Sequence, residues 1–449
     1  MDGWTTAELT EQGRQLRKTT PRSALGTDLD LDRDPISLLD AQNAARVQEL
    51  VPVRWGRMAQ SAFAFYRGTA ALMAHDLATT PVSGLRVQAC GDAHLSNFGL
   101  FASPERTLVF DLNDFDETTS APWEWDVERL VASLAVAARS GGFGADGEWA
   151  VAHAAASAYR IWVAKAASAS ALTAYHTVVT EDLLLSHSAA GKTHRGAREQ
   201  EIERAARKAR GRTSERSLDQ LSTSQAGGQL RIVEQAPLIV RPAQLPGDVM
   251  EIPRRYRSSV SADVDMLLRR FQPVDLARKV VGVGSVGTRA FILLCVDSGG
   301  NPLFLQAKEA SRSVLEAYAG PCGYDHMGQR VVAGQKIMQA VSDPLLGWTD
   351  SDGRQYYVRH FRDMKGGFEI ERLSASLLGD YARLCGAVLA RAHVQSCEPA
   401  MLAGYLGKGE SFANAMARFA IGYADQNDRD YQALLDAIAD GRIVADQQS

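Results

Sequence analysis

The chain has no CxxC pair: its five cysteines, Cys90, Cys295, Cys322, Cys385 and Cys397, are scattered over 449 residues. That spacing indicates neither a zinc site nor a disulfide framework, and reduced thiols are the expectation. No stretch approaches the roughly 18 uninterrupted apolar residues of a membrane helix. The opening MDGWTTAELTEQGRQLRK has no apolar core behind a basic start. No secretory signal is expected there, and a cytoplasmic location is. Charge of one sign is also missing. The 49 Lys and Arg against 53 Asp and Glu leave a net charge of −4 and no reason to expect nucleic acid as a partner. What is present is the balance of an ordinary globular protein, 45% hydrophobic and 23% charged. At roughly 100–200 residues per domain the length allows two or three domains, or one with large insertions.

Polar residues 1–39, with DLDLDRDP near their end, read as a loose arm. Helical spacing follows from Asp40 to Leu77. Leu85–Cys90 reads as a strand, and Phe98–Phe101 and Thr107–Asp111 as a hairpin. Trp123–Arg139 is an amphipathic helix closed by Gly141-Gly142, with Ala-rich helices over 146–188. Between Gly191 and Arg216 stand nine Lys or Arg against four Glu, which fits a solvated helix or, alternatively, a contact with a phosphorylated partner. An extended piece at 229–242 and a helix at about 261–271 come next. Strands are expected at 278–282, 289–296, 303–308 and 356–361, and helices at 309–319, 326–341, 374–394 and 411–438. There is no internal repeat.

Three separated motifs suggest one chemistry. The first is Gly91-Asp92-Ala93-His94-Leu95-Ser96-Asn97. An Asp and an Asn five positions apart, in a loop after a strand, suit phosphoryl transfer: Asp92 can orient or deprotonate an acceptor hydroxyl, and the Asn97 amide oxygen can bind a metal bridging phosphates. The same spacing also suits a plain Asx-capped turn. The second motif, Phe110-Asp111-Leu112-Asn113-Asp114-Phe115-Asp116-Glu117, crowds four carboxylates after an apolar strand. They repel one another unless a cation intervenes, and Mg²⁺ favours one or two carboxylates plus phosphate oxygens. An acidic surface loop is the alternative.

The third motif is Gly282-Val283-Gly284-Ser285-Val286-Gly287. A dinucleotide fold needs a helix directly after such glycines, but Thr288–Val296 is β-branched and apolar and reads as a strand. Strand, glycine loop, strand is the arrangement that covers ATP phosphates in kinases, with a lysine on the next strand. Lys308 stands there, in Leu-Gln-Ala-Lys-Glu-Ala. A plain hairpin turn and a strand-end lysine are the alternatives. Glu316 is the first acid on the following helix able to pair with Lys308, with Glu309 and Gln335 as rivals.

Residues 91–139 resemble the catalytic segment of the aminoglycoside phosphotransferase and choline kinase branch of the protein-kinase-like fold. Asp92, His94 and Asn97 match the Asp, second His and Asn of its H-G-D-x-H-x-x-N motif, and Asp111 falls at its metal-binding Asp. Trp123-Glu-Trp-Asp126 resembles the helix start in which an Asp braces that loop. Cys90 replaces the motif's first His, and Asp114 and Asp116 are additional acids. Over nearly the whole chain, FYRG…GDAHLSNFG…DLNDFDE…LQAKEA…GQRVVAGQKIMQ…YYVRH resembles the bacterial family of unknown function called DUF2252.

The motif order is the reverse of an ordinary kinase, and Tyr381–His393 resembles the helix that normally runs up to the catalytic loop. The resemblance therefore implies an α+β, two-lobed protein-kinase-like fold in circularly permuted order. Residues 40–270 and 366–449 would form the helical lobe and 271–365 a small β-rich nucleotide lobe. The implied activity is an ATP- and Mg²⁺-dependent phosphotransferase acting on a hydroxyl of a small molecule or protein. Nucleotidyl transfer of AMP and a non-catalytic nucleotide-binding module are the alternatives. Asp92, His94 and Asn97 would be catalytic. Gly282, Gly284, Ser285, Gly287, Lys308 and Glu316 would bind nucleotide, and Asn97, Asp111, Asp114 and Asp116 would bind metal.

Overall fold

The computed structural model describes residues 4–27, 29, 31–190, 195–224, 230–241, 252–280, 282, 284–361 and 363–446. The architecture is mixed α and β. The strands are β1 (Arg86–Ala89), β2 (Phe98–Ala102), β3 (Leu108–Leu112), β4 (Thr119–Pro122), β5 (Ser222–Ser224), β6 (Leu230–Ile232), β7 (Ile239–Val240), β8 (Gln272–Lys279), β9 (Ala290–Val296), β10 (Pro302–Glu309), β11 (Gly347–Ser351) and β12 (Arg354–His360). The last six form one antiparallel sheet in the order β11-β12-β10-β9-β8-β7, while β1-β4, β2-β3 and β5-β6 are two-stranded pairs. The helices that matter for the site are α1 (Trp123–Ser140), α2 (Gly144–Ser168), α3 (Met327–Met338), α4 (Ala375–His393) and α5 (Ser411–Ala439). None of the described helices is long and apolar enough to cross a membrane.

Apolar side chains of α1, α2, α4 and α5 share one core with β1–β3, although α1 and α4 are far apart in the chain. Close approach of α2 and α4 depends on Gly386, where an added Cβ would sit 2.1 Å from the Ala155 carbonyl oxygen. The six-stranded sheet is apolar on both faces. Leu303 and Leu305 join Tyr256, Val264 and Leu268 on one face. Phe304 joins Leu221, Ile232 and Ile239 on the other. Alternation along β10 puts Gln306 and Lys308 on the Phe304 face.

Several expectations differ from the structure. The N-terminal arm contains a helix, Thr6–Leu16, started by a Thr5/Glu8 capping box. It is tied down through Arg17, whose Nε donates to the Tyr405 carbonyl at 2.8 Å. The helical stretch from 40 to 77 is broken into pieces. Pro52 opens Val51–Met58, and Ser61 caps Ala62–Arg67 by accepting from the Ala64 amide at 3.0 Å. The strand expected at 278–282 starts earlier, at Gln272, because a bulge between Pro273 and Asp275 breaks the alternation that would reveal it. The helix expected from Glu309 starts only at Glu316. Glu309 and Ala310 are instead held extended by donating to the carbonyls of Arg289 and Gln355, each at 2.8 Å. The expected extended segment 229–242 contains the short strands β6 and β7, and its two end residues fall outside the described residues.

Helix α1 also buries two acids one turn apart, Glu124 and Glu128. Glu124 accepts from the Ser83 amide at 2.7 Å, and burial raises its pKa to about 7 from an ordinary 4.5. The folded carboxyl thus keeps a proton that the unfolded one releases, so this group's contribution to stability is full below about pH 4.5 and is lost as pH rises to about 7. Glu124→Gln is expected to make the melting temperature less sensitive to pH between 5 and 8. An undiminished pH slope in the variant would refute this assignment.

Candidate functional site

The Gly91–Asn97 loop leaves β1 and is braced from behind. Asp126, in the first turn of α1, accepts from the amides of Cys90 at 2.6 Å and Gly91 at 2.9 Å. His393, at the end of α4, lies 3.0 Å from the same carboxylate through Nε2. Its Nδ1 meets the Tyr159 hydroxyl at 2.8 Å, and because a carboxylate only accepts, the proton at the Asp126 contact is on Nε2. The bracing thus survives without the motif's first His: the group comes from α4, and buried Cys90 leaves only a thiol whose pKa is raised by burial and by Asp126.

Asp92 projects from this loop with its side chain 24% exposed. Arg129 donates to Oδ1 through Nε at 2.9 Å, and its guanidinium lies 4.0 Å over the Tyr66 ring. The other oxygen, Oδ2, is 3.8 Å from His94 Nε2. Burial lowers His94 to about 4 against the pull of Asp92, so the imidazole is neutral near pH 7. Its Nδ1 is buried without a partner among the described residues.

Asn97 ties the two acidic motifs together. Its Nδ2 donates to the Asp114 carbonyl at 2.8 Å and the Asp92 carbonyl at 3.1 Å. Its Oδ1 accepts from the amides of Asp114 at 2.7 Å and Asn113 at 3.3 Å. That oxygen is already used, which argues against Asn97 as a metal ligand and makes it a brace. Asp111 is also engaged elsewhere. It is buried inside β3, accepts from its neighbour Leu112 at 2.9 Å and from the Ala340 amide at 2.8 Å, and has its pKa raised by burial.

Asp114 and Asp116 lie just beyond the end of β3 and meet Lys308. Asp116 is in ionic contact with the Lys308 ammonium, and Asp114 Oδ2 is 3.5 Å from it. Tyr357 donates to Asp116 Oδ1 at 2.9 Å. Ser285 of the glycine motif donates to Asp116 Oδ2 at 3.3 Å. Lys308 is 1% exposed. Burial opposes its charge, but the two acids outweigh it and raise its pKa. Burial likewise opposes the charge on Asp114, yet Lys308, Arg359 and Lys365 hold its carboxyl at about 2. Lys365 itself is lowered to about 7, by burial first and Arg359 second.

Glu316 is not near the ammonium. It accepts from the Ser313 amide at 3.1 Å and lies 3.8 Å from Arg330. Its rivals are also engaged elsewhere: Glu309 with Arg289 and Arg354, and Gln335 with Gln339.

The glycine motif is docked rather than free. Val47 donates to the Gly287 carbonyl and Arg57 to the Gly282 carbonyl, each at 2.8 Å. Gly282 and Gly287 have φ of 58° and 87°, a region where a side chain is strained. Gly284 approaches the Arg67 carbonyl, which would lie 3.2 Å from an added Cβ. Val281 and Val283 lie outside the described residues.

The sequence profile described as "Uncharacterized protein conserved in bacteria (DUF2252)" matches residues 46–437. The chain belongs to the DUF2252 family. No curated protein and no solved structure matches it. The matched part of this DUF2252 protein runs from Arg46, which donates to the Val286 carbonyl, into α5, so the Asp92 loop, the acidic motif, the glycine motif and Lys308 all lie within it.

Sequence reasoning missed Arg129, Tyr357 and Arg359. Periodicity could have found them. Arg129 is one helical turn beyond Asp126, on the same face. Tyr357 and Arg359 are two apart on β12, directly opposite Lys308 and Gln306.

Gly91 controls how closely the two loops approach. It has φ of 82°, and an added Cβ would lie 2.3 Å from the Glu117 carbonyl oxygen. Gly91→Ala is expected to destabilise the protein by about 2 kcal/mol or more, measured by denaturant unfolding. A variant of wild-type stability would show that the loops separate freely.

Proposed function

We propose that this DUF2252 protein is an ATP- and Mg²⁺-dependent phosphotransferase acting on a hydroxyl of a small molecule or protein, on a permuted kinase-like fold. The observation that carries the reading is the meeting of Lys308 with Asp116 and Asp114, with Ser285 bonded to the same Asp116. A lysine one strand beyond a glycine loop, facing acids that follow a hairpin, is the constellation that phosphoryl transfer requires. Two contacts support the permutation. His393 joins the brace of the Asp92 loop, and Ser396, just past α4, accepts from the Gln88 amide of β1 at 2.7 Å. The end of α4 thus adjoins the strand that leads into the Asp92 loop, where an unpermuted chain would run on directly.

Asp114 and Asp116 fit Mg²⁺. They are two carboxylates on one loop, and Asp114 Oδ1 is buried without a partner among the described residues. No cluster of three or more His, Cys, Asp or Glu is present among those residues, and Mg²⁺ needs only one or two carboxylates when phosphates complete its shell. Mg²⁺, when bound, offsets the charge of the phosphate oxygens.

In this reading Lys308 contacts the α- and β-phosphates. The amides of Gly284 to Gly287, which donate to no protein acceptor among the described residues, face phosphate oxygens. Asp92 Oδ2 accepts the proton of the acceptor hydroxyl as its oxygen attacks the γ-phosphorus, and ADP leaves. Arg129 holds the Asp92 carboxylate in place through Oδ1.

The test is incubation of the purified protein with Mg²⁺ and ATP, with separation of the nucleotide products. ADP supports phosphoryl transfer. AMP with pyrophosphate assigns nucleotidyl transfer instead. ATP binding without turnover assigns a binding module, and no binding overturns the reading.

A further inference from the structure

Arg67 makes no hydrogen bond or ion pair among the described residues through its guanidinium, and its Nε is buried. Burial lowers its pKa, and Asp92 and Glu371 are the acids whose charges reach it. A part-buried guanidinium without a partner is unfavourable unless an anion meets it. The surroundings are rigid. Arg129 donates to the Tyr66 carbonyl at 2.8 Å, and Arg54 donates to the Gly68 carbonyl at 2.9 Å. The residue is thus pinned on both sides while its own side chain is left unpaired. The Arg67 carbonyl lies against Gly284, and its charge is felt by His94.

Arg46 adjoins the same glycine loop. It donates to the Val286 carbonyl, its Nε is buried without a partner among the described residues, and Glu117 and Asp116 are the acids whose charges reach it. Arg46 therefore borders the glycine loop through its side chain and Arg67 through its backbone, and each has a buried Nε without a partner among the described residues.

We propose that the unpaired guanidinium of Arg67 forms an oxyanion subsite that receives phosphoryl oxygens near Asp92, next to the glycine loop that Arg67 holds through its backbone and Arg46 through its side chain. The inference rests on the phosphotransfer reading for the identity of its anion, and the Arg67 side chain makes no hydrogen bond or ion pair with Lys308, Asp114 or Asp116 among the described residues. The guanidinium fork donates two N–H groups to a phosphoryl group and makes and breaks no bond itself. In phosphotransfer it would stabilise the charge on the transferring group, the part played elsewhere by an arginine supplied to the site.

The probe is inorganic pyrophosphate, followed by thermal shift on the full chain. Wild type is expected to be stabilised by it. Arg67→Ala is expected to lose affinity at least about tenfold while melting, without pyrophosphate, no lower than wild type, because an unpaired charge has been removed. Arg312→Ala, whose side chain is 78% exposed, should bind as wild type does. The subsite is overturned by absence of stabilisation in wild type, by equal affinity in Arg67→Ala, or by an equal loss in Arg312→Ala. Failure of Arg67→Ala to fold overturns it too, because it would reveal a structural partner. Turnover of Mg²⁺-ATP separates the two proposals. Pyrophosphate binding lost in Arg67→Ala without any wild-type turnover keeps the subsite and removes the phosphotransfer reading. Wild-type turnover unchanged by Arg67→Ala does the reverse.

Discussion

Asp92→Asn is expected to lower turnover of Mg²⁺-ATP by about 10²–10⁴-fold, the usual contribution of a positioned base, while nucleotide affinity stays within a few-fold of wild type. The substitution is nearly isosteric, and its amide oxygen can still accept from Arg129, which now bonds Oδ1 at 2.9 Å. What is lost is the second carboxylate oxygen, which His94 alone approaches among the described residues, at 3.8 Å. With His94 lowered to about 4, the neutral imidazole does not supply a charge in its place. Nucleotide is expected to be held elsewhere, by Lys308 and the glycine loop, so binding and chemistry should separate. Measuring kcat alongside an equilibrium nucleotide titration checks this. A near-normal kcat would exclude Asp92 as the base.

Lys308→Ala is expected to reduce kcat/KM for Mg²⁺-ATP by about 10²–10³-fold, comparable to deleting one preorganised charge-stabilising donor. Lys279→Ala should do far less. Lys308 is buried and faces Asp114 and Asp116, whereas Lys279 ends β8 opposite Ile239 of β7, before the glycine loop. Losing Lys308 also leaves two acids facing one another. Asp114, held at about 2 against an ordinary 3.8, contributes stability that is present above about pH 3.8 and lost as pH falls towards 2. In Lys308→Ala that contribution shrinks, so stability should gain less as pH rises from about 2 to about 3.8. Equal kinetic effects of the two lysine substitutions would refute the assignment of Lys308.

Which groups could do chemistry was legible because chemical groups and local backbone preferences are properties of short segments. Gly91–Asn97, Asp114, Asp116, Gly282–Gly287 and Lys308 could all be picked out by residue type and by the strand texture around them. Which acid was free was harder to read. Asp111, expected as the last residue of its strand, lies inside β3 because that strand runs one residue further, to Leu112. One more residue of strand keeps Asp111 bonded to backbone amides and makes Asp114 and Asp116 the acids of the loop. The partner of Lys308 was sought nearby, at Glu316, Glu309 and Gln335, yet it stands about 190 residues earlier in the chain.

The sequence by itself determined the strand and helix patterns, the special backbone positions and the reactive side chains, all through interactions within a few residues. Only the tertiary structure decided the pairings. Asp126 could be joined to His393, Asp92 to Arg129 and Asp116 to both Lys308 and Tyr357 only once α1, α4 and the six-stranded sheet had packed. The physical reason is that charge pairing and desolvation depend on distance in space. Burial of apolar faces sets that distance, and nothing in the local chain encodes it.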